Sequence, residues 1–205
     1  MVFSRFSTAF VLAAAVLAGP LAAQDRQFQL GVYGGAVAPI SDLGQVPYPL
    51  GGGAVAVRHF KKGINLGGNA SYWLDTNLGV RLDGTYATST VVEPLVGCLP
   101  ECETGWTKLF LSGDIVLRAG GDGSVKPFGY FGGGMAKLSE KGTGRKATRP
   151  TGRVGGGLNV TPANSTLGFF GELGLMVYDF DQTKFTFYDK VQTDLALKVG
   201  VSVGL

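Results

Sequence analysis

Beyond its first two dozen residues the chain has no stretch approaching 18 consecutive apolar residues, so no later segment reads as a membrane-spanning helix. It has little cysteine and almost no histidine: Cys98, Cys102 and His59 are all there are. With a lone histidine far from the cysteines and no second ligand pair, a metal site of the usual spacing is disfavoured. Charge is also scarce, 16% of residues with a net +3, and the basic residues are dispersed. A balance that weak does not suggest nucleic acid as a partner. Helical periodicity does not recur along the chain, whereas alternation with period two does. What is abundant is glycine: 34 residues, roughly twice the usual share. No helix N-terminus follows the glycine runs, so a nucleotide-binding reading of them fails.

The first 23 residues form a separate object. Arg5 supplies a positive charge, "FVLAAAVLA" a short apolar run, Gly19-Pro20 a break and "LAA" small residues before Gln24. This is the pattern of a secretory signal peptide, with cleavage expected near Ala23 and one domain from 24 to 205. No cysteine stands directly after that site, which argues against a lipid anchor. In an exported chain, Cys98 and Cys102 within "CLPEC" are expected to close a small disulfide loop.

Eight strands are expected, at about 27–38, 63–74, 77–88, 106–118, 125–138, 150–161, 167–179 and from about 193 to the end. The connections carry more information than the strands. "DTN", "GGDGS" and "TPANST" make tight turns, while roughly 39–62, 89–105, 139–149 and 180–192 are long. Short and long links alternating over an even number of strands are what a transmembrane barrel shows. The segment 51–60, "GGGAVAVRHF", alternates too; it is expected to belong to a hairpin rising from the first long link and turning at "KKG".

If the apolar face meets lipid, the alternate positions line the lumen and carry charge. Those positions hold Arg81, Asp83, Lys108, Asp114, Arg118, Arg153, Glu172, Asp194 and Lys198. Both signs are present, so Arg81, Asp83, Asp114, Arg118, Arg153, Glu172 and Lys198 are expected to form a lumen network. Unpaired, each would be costly to bury. Aromatics near strand ends (Tyr72, Trp73, Phe169 and Phe170 by the turns; Tyr86, Trp106, Tyr178 and Phe180 by the loops) are expected as two interfacial girdles. Phe128 or Tyr130 is expected to pack over bare glycine backbone in "YFGGGM" and "VGGGL". Lys141, Arg145, Lys146 and Arg149 make the third long link basic, which allows unspecific contact with lipopolysaccharide phosphates.

The opening "LGVYGGAVAPISDL", the first tight hairpin "ASYWLDTNLGVRLDGTYA" and the closing "KVGVSVGL", with the signal peptide, together resemble the small OmpA-like and OmpX-like outer-membrane β-barrel family, sometimes called the porin family. The resemblance implies an all-β, eight-stranded antiparallel up-and-down transmembrane barrel in the cell outer membrane. It implies outer-membrane lipids, lipopolysaccharide and the barrel-assembly machinery as partners, a monomer, and no cofactor. A structural or surface-interaction role is expected, not an enzyme. The alternatives are a narrow channel for small or hydrophobic solutes and a lipid A-modifying barrel enzyme using His59, although no serine stands two positions after it.

Overall fold

The computed structural model describes residues 28–47, 55–93, 102–119, 123–180 and 191–205. Its strands run β1 Phe28–Pro39, β2 Gly44–Pro47, β3 Val55–Phe60, β4 Gly63–Trp73 and β5 Leu78–Glu93. They continue as β6 Cys102–Arg118, β7 Val125–Glu140, β8 Lys146–Val160, β9 Leu167–Asp179 and β10 Val191–Gly204. Eight of them close an antiparallel ring in the order β1-β4-β5-β6-β7-β8-β9-β10, with β10 returning to β1. The closing seam runs from Gln29 opposite Gly204 to Pro39 opposite Asp194, and Leu205 N–H donates to the Phe28 carbonyl. Pairing of β10 with β1 leaves no open edge on the ring of eight described strands.

The alternation seen in the sequence becomes the two faces of the wall. Leu66, Leu82, Leu111, Phe131, Leu158, Leu173 and Val199 are all more than half exposed on the outside. Arg81, Asp83, Lys108, Asp114, Arg153, Glu172, Asp194 and Lys198 are buried inside. An apolar exterior around a charged interior inverts the arrangement of a water-soluble barrel and suits a hydrocarbon surround.

The tight turns sit at one end. At the first, the Asp75 carboxylate accepts the N–H groups of Asn77 and Leu78, which reverses the chain and holds that carboxyl below its ordinary range. At the opposite, loop end the strands run further than their alternation suggests. The link expected over 139–149 is largely strand: β7 and β8 continue to Glu140 and Lys146 and are joined by the turn 141–145, where Gly142 and Gly144 adopt positive φ. The wall is therefore taller on the β5–β8 side, with strands of 15 to 17 residues against 11 to 14 elsewhere in the ring.

The first long link also differs from expectation. β3 pairs with β2, so the hairpin turns between Pro47 and Val55 and not at "KKG". Instead Lys61-Lys62-Gly63 is a bulge: β5 pairs with Phe60 at Val91 and with Ile64 at Thr88, so β3 prolongs β4 with one extra residue. Residues 1–23 and Cys98, and with them the expected signal peptide and disulfide, lie outside the described residues.

Candidate functional site: the filled lumen

Five strands supply the charges at mid-height. β5 contributes Arg81 and Asp83, β6 Asp114, β8 Arg153, β9 Glu172 and β10 Lys198, each an inward position of its strand. Arg81 meets Asp114 at 3.0 Å and Glu172 at 2.7 Å. Arg153 reaches Asp83 at 2.7 Å, Glu172 at 3.4 Å and Asp114 at 3.5 Å. Lys198 lies 3.1 Å from Asp83 and 3.2 Å from Glu172, its cross-strand partner. Three cations and three carboxylates thus cancel inside the wall, all six of them buried. Coulomb attraction at these distances offsets the desolvation that would expel any one of them alone.

Two tyrosines fit the network to the wall. Tyr33 on β1 donates to Asp83 at 2.9 Å, lies 2.6 Å from Thr85, and accepts from Lys198 at 3.2 Å. Tyr130 on β7 lies under the Arg81 guanidinium, 4.1 Å from ring centroid to carbon, and its hydroxyl is 3.4 Å from Glu172. A Cβ at Gly174 or Gly155 would collide with the Tyr130 hydroxyl, and one at Gly67 with that of Tyr33. Bare backbone is what lets a phenol cross so narrow a lumen.

Toward the loop end the filling changes character. Phe60, Trp106, Phe110, Tyr178 and Phe180 pack edge-to-face or stacked, with centroids 5.6 to 6.5 Å apart. Val37, Leu43, Val91 and Leu138 complete this plug. One ion pair is enclosed in it: Lys108 and Asp194, both 0% exposed and 2.7 Å apart. Tyr178 donates to the same carboxylate at 3.0 Å, and the Lys108 ammonium sits 3.8 Å from the Phe60 centroid.

Six of the seven residues expected to share a lumen network meet there. Arg118 does not. It lies at the turn end, partly exposed, stacked 3.8 Å above the Trp73 ring and donating to the Thr76 carbonyl at 2.6 Å. Being the last residue of β6, it is free to follow the turn out of the lumen. Of the eight aromatics expected in the girdles, three lie there. Tyr72, Phe169 and Tyr86 face outward, but Trp73, Phe170, Trp106, Tyr178 and Phe180 are buried inside. Parity decides this: of two adjacent aromatics on a strand only one can face lipid. Tyr33 as a network member, and the whole plug, went unread in the sequence; the inward parity of Trp106 and Tyr178, shared with Lys108 and Asp194, was the available signal. His59 is exposed on β3, and among the described residues no group of histidine, cysteine and carboxylate side chains is placed to hold a metal.

No protein-family model matches the sequence, and no curated protein matches it. Solved structures do match the fold. Neisserial surface protein A superposes with a TM-score of 0.58 at 14% identity, covering 87% of this chain and 97% of that one. The outer membrane protein OprG from Pseudomonas aeruginosa gives 0.53 at 14% identity, covering 85% and 94%. The outer membrane protein AlkL, solved in lipid bilayers, gives 0.53 at 13% identity, covering 90% and 93%. Ring closure, the inverted faces and these superpositions agree: the chain has the fold of the small eight-stranded outer-membrane β-barrels.

Proposed function

We propose that the chain is a monomeric integral protein of a bacterial outer membrane, with its tight turns in the periplasm. In this reading its role is structural or surface-interacting, without catalysis. The carrying observation is the closed lumen. Three cations and three carboxylates pair across the barrel, and an aromatic plug covers them on the loop side. A solute path would have to break several buried ion pairs, each of which is expensive to open alone. Small barrels of this strand number are generally filled by side chains, in keeping with that view.

The strands rising beyond the belt on the β5–β8 side, and the β2–β3 hairpin at the same end, are then the parts offered to partners outside the cell. Planar-bilayer recording of the full chain tests the reading. No discrete conductance steps are expected. Reproducible single-channel steps would overturn the sealed barrel in favour of a narrow channel.

A further inference from the structure

We infer that the turn-end mouth of the lumen binds a small multivalent oxyanion of the phosphate class, held between Lys126 and Arg118. The site faces the lumen, and only its opening to the periplasm rests on the orientation proposed above. Parity gathers the groups. Among the inward positions nearest the turns, β6 presents Arg118 and β7 Lys126, while Gln29, Asn159 and Ser202 supply neutral polar groups from β1, β8 and β10. Arg118 stands opposite Phe128, and Lys126 is two residues further along β7, so the two cations are diagonal neighbours on that face. Such neighbours have Cα atoms about 7–8 Å apart, within reach of one anion for side chains of this length. Both are half-buried, and no described carboxylate forms an ion pair with either. Two like charges so placed repel each other unless an anion comes between them.

The barrel itself does not offset that charge. The mid-height network is neutral, and Trp73, Val116 and Tyr130, with Phe128, form an apolar layer between it and the mouth. Asp75 is exposed in the turn, where its carboxylate accepts the N–H groups of Asn77 and Leu78. The rest of the mouth is a ring of hydrogen-bonding groups. Arg118 stacks on Trp73, whose indole donates to Gln29 at 3.3 Å. Gln29 donates to Ser202 at 2.7 Å, which leaves the Ser202 proton for an acceptor. Across bare Gly168, Ser202 Oγ, Thr161 Oγ1 and Asn159 Oδ1 face one point: a Cβ there would lie 3.0 to 3.1 Å from all three. Asn159 is the cross-strand partner of Lys126, which closes the ring. Glycine at 168 thus keeps open a space that hydroxyl and amide groups surround and two cations border. A tetrahedral oxyanion accepts hydrogen bonds in several directions at once and carries the charge that the mouth lacks. A lipid headgroup outside the wall does not reach side chains that point inward.

The two tryptophans report on the two ends separately, Trp73 in the mouth and Trp106 in the plug. The full chain, isotopically labelled at its indole nitrogens and folded in maltoside micelles, is titrated with sodium phosphate at constant ionic strength while both indole N–H signals are followed by NMR. The Trp73 signal should shift saturably, and the Trp106 signal should stay in place, which also shows in each variant that the barrel is intact. Lys126→Gln and Arg118→Gln should each raise the half-saturation concentration about fivefold. Lys137→Gln, on the outer wall, should leave it at the parent value. A shift without saturation, movement of both signals together, or an unchanged half-saturation in the double variant would overturn the site. An equal response to chloride would overturn the oxyanion class. Labelling of Ala163→Cys by an impermeant maleimide in intact cells, with Cys98 and Cys102 changed to serine, would overturn the periplasmic opening alone.

Discussion

The two halves of the lumen solve the same packing problem in different ways. At mid-height six charges share partners: Glu172 alone serves Arg81, Arg153 and Lys198, and Asp83 serves Arg153 and Lys198. Toward the loops a single pair, Lys108 and Asp194, is enclosed by rings and aliphatic side chains. The network is distributed, so no residue in it can be exchanged without stranding others. The enclosed pair shares its charge with no other ion, and its further hydrogen bond is the one Asp194 accepts from Tyr178, so both charges can be exchanged together. The same type of interaction therefore plays two different energetic roles a few residues apart along the strands.

Glu172→Gln should show the largest effect. It leaves three buried cations facing two carboxylates and should cost about 3–5 kcal/mol, read as the urea midpoint of folding in detergent. An unchanged midpoint would mean that the network contributes nothing to holding the barrel closed.

The plug should behave otherwise. Lys108→Met alone strands Asp194 and destabilises, but Lys108→Met combined with Asp194→Leu and with Tyr178→Phe, which removes the hydroxyl that donates to Asp194, should return to the parent or exceed it by about 1–4 kcal/mol. A matched replacement of Arg81 and Glu172 should show no such recovery, since Asp114, Arg153 and Lys198 lose partners with them. Equal recovery of both pairs in a double-mutant cycle would erase the distinction between the halves.

Arg118→Ala marks the boundary of the network and should have the smallest effect, within about 1 kcal/mol. Only a partly exposed stack on Trp73 and one hydrogen bond to the turn are lost. A loss as large as that of Glu172→Gln would place Arg118 among the network residues after all.

Much of this was legible in residue order. Alternation assigned Arg81, Asp83, Asp114, Arg153, Glu172 and Lys198 to one side of the wall, and turn residues marked the short connections. The strand extensions at the loop end were not legible: 139–140 and 146–149, on either side of the turn, look like a polar loop because a strand that has left hydrocarbon no longer needs an apolar face. Nor was the bulge at Lys61–Gly63, where β3 and β4 count as two segments in sequence but align along β5 in space. The aromatics misled for a further reason. Trp106, Tyr178 and Phe180 have the composition of an interfacial girdle, and only their parity relative to Lys108 and Asp194 turns them inward.

By itself the sequence determined the number of ring strands, their two faces and the identity of the charged side, because period-two patterning is a local property of each strand. The tertiary structure alone decided which charge meets which, that Arg118 stands apart, and that the loop half is plugged by rings. Those outcomes depend on the stagger between strands far apart in sequence and on how much width a ring of eight leaves inside. Neither quantity is written in any single strand.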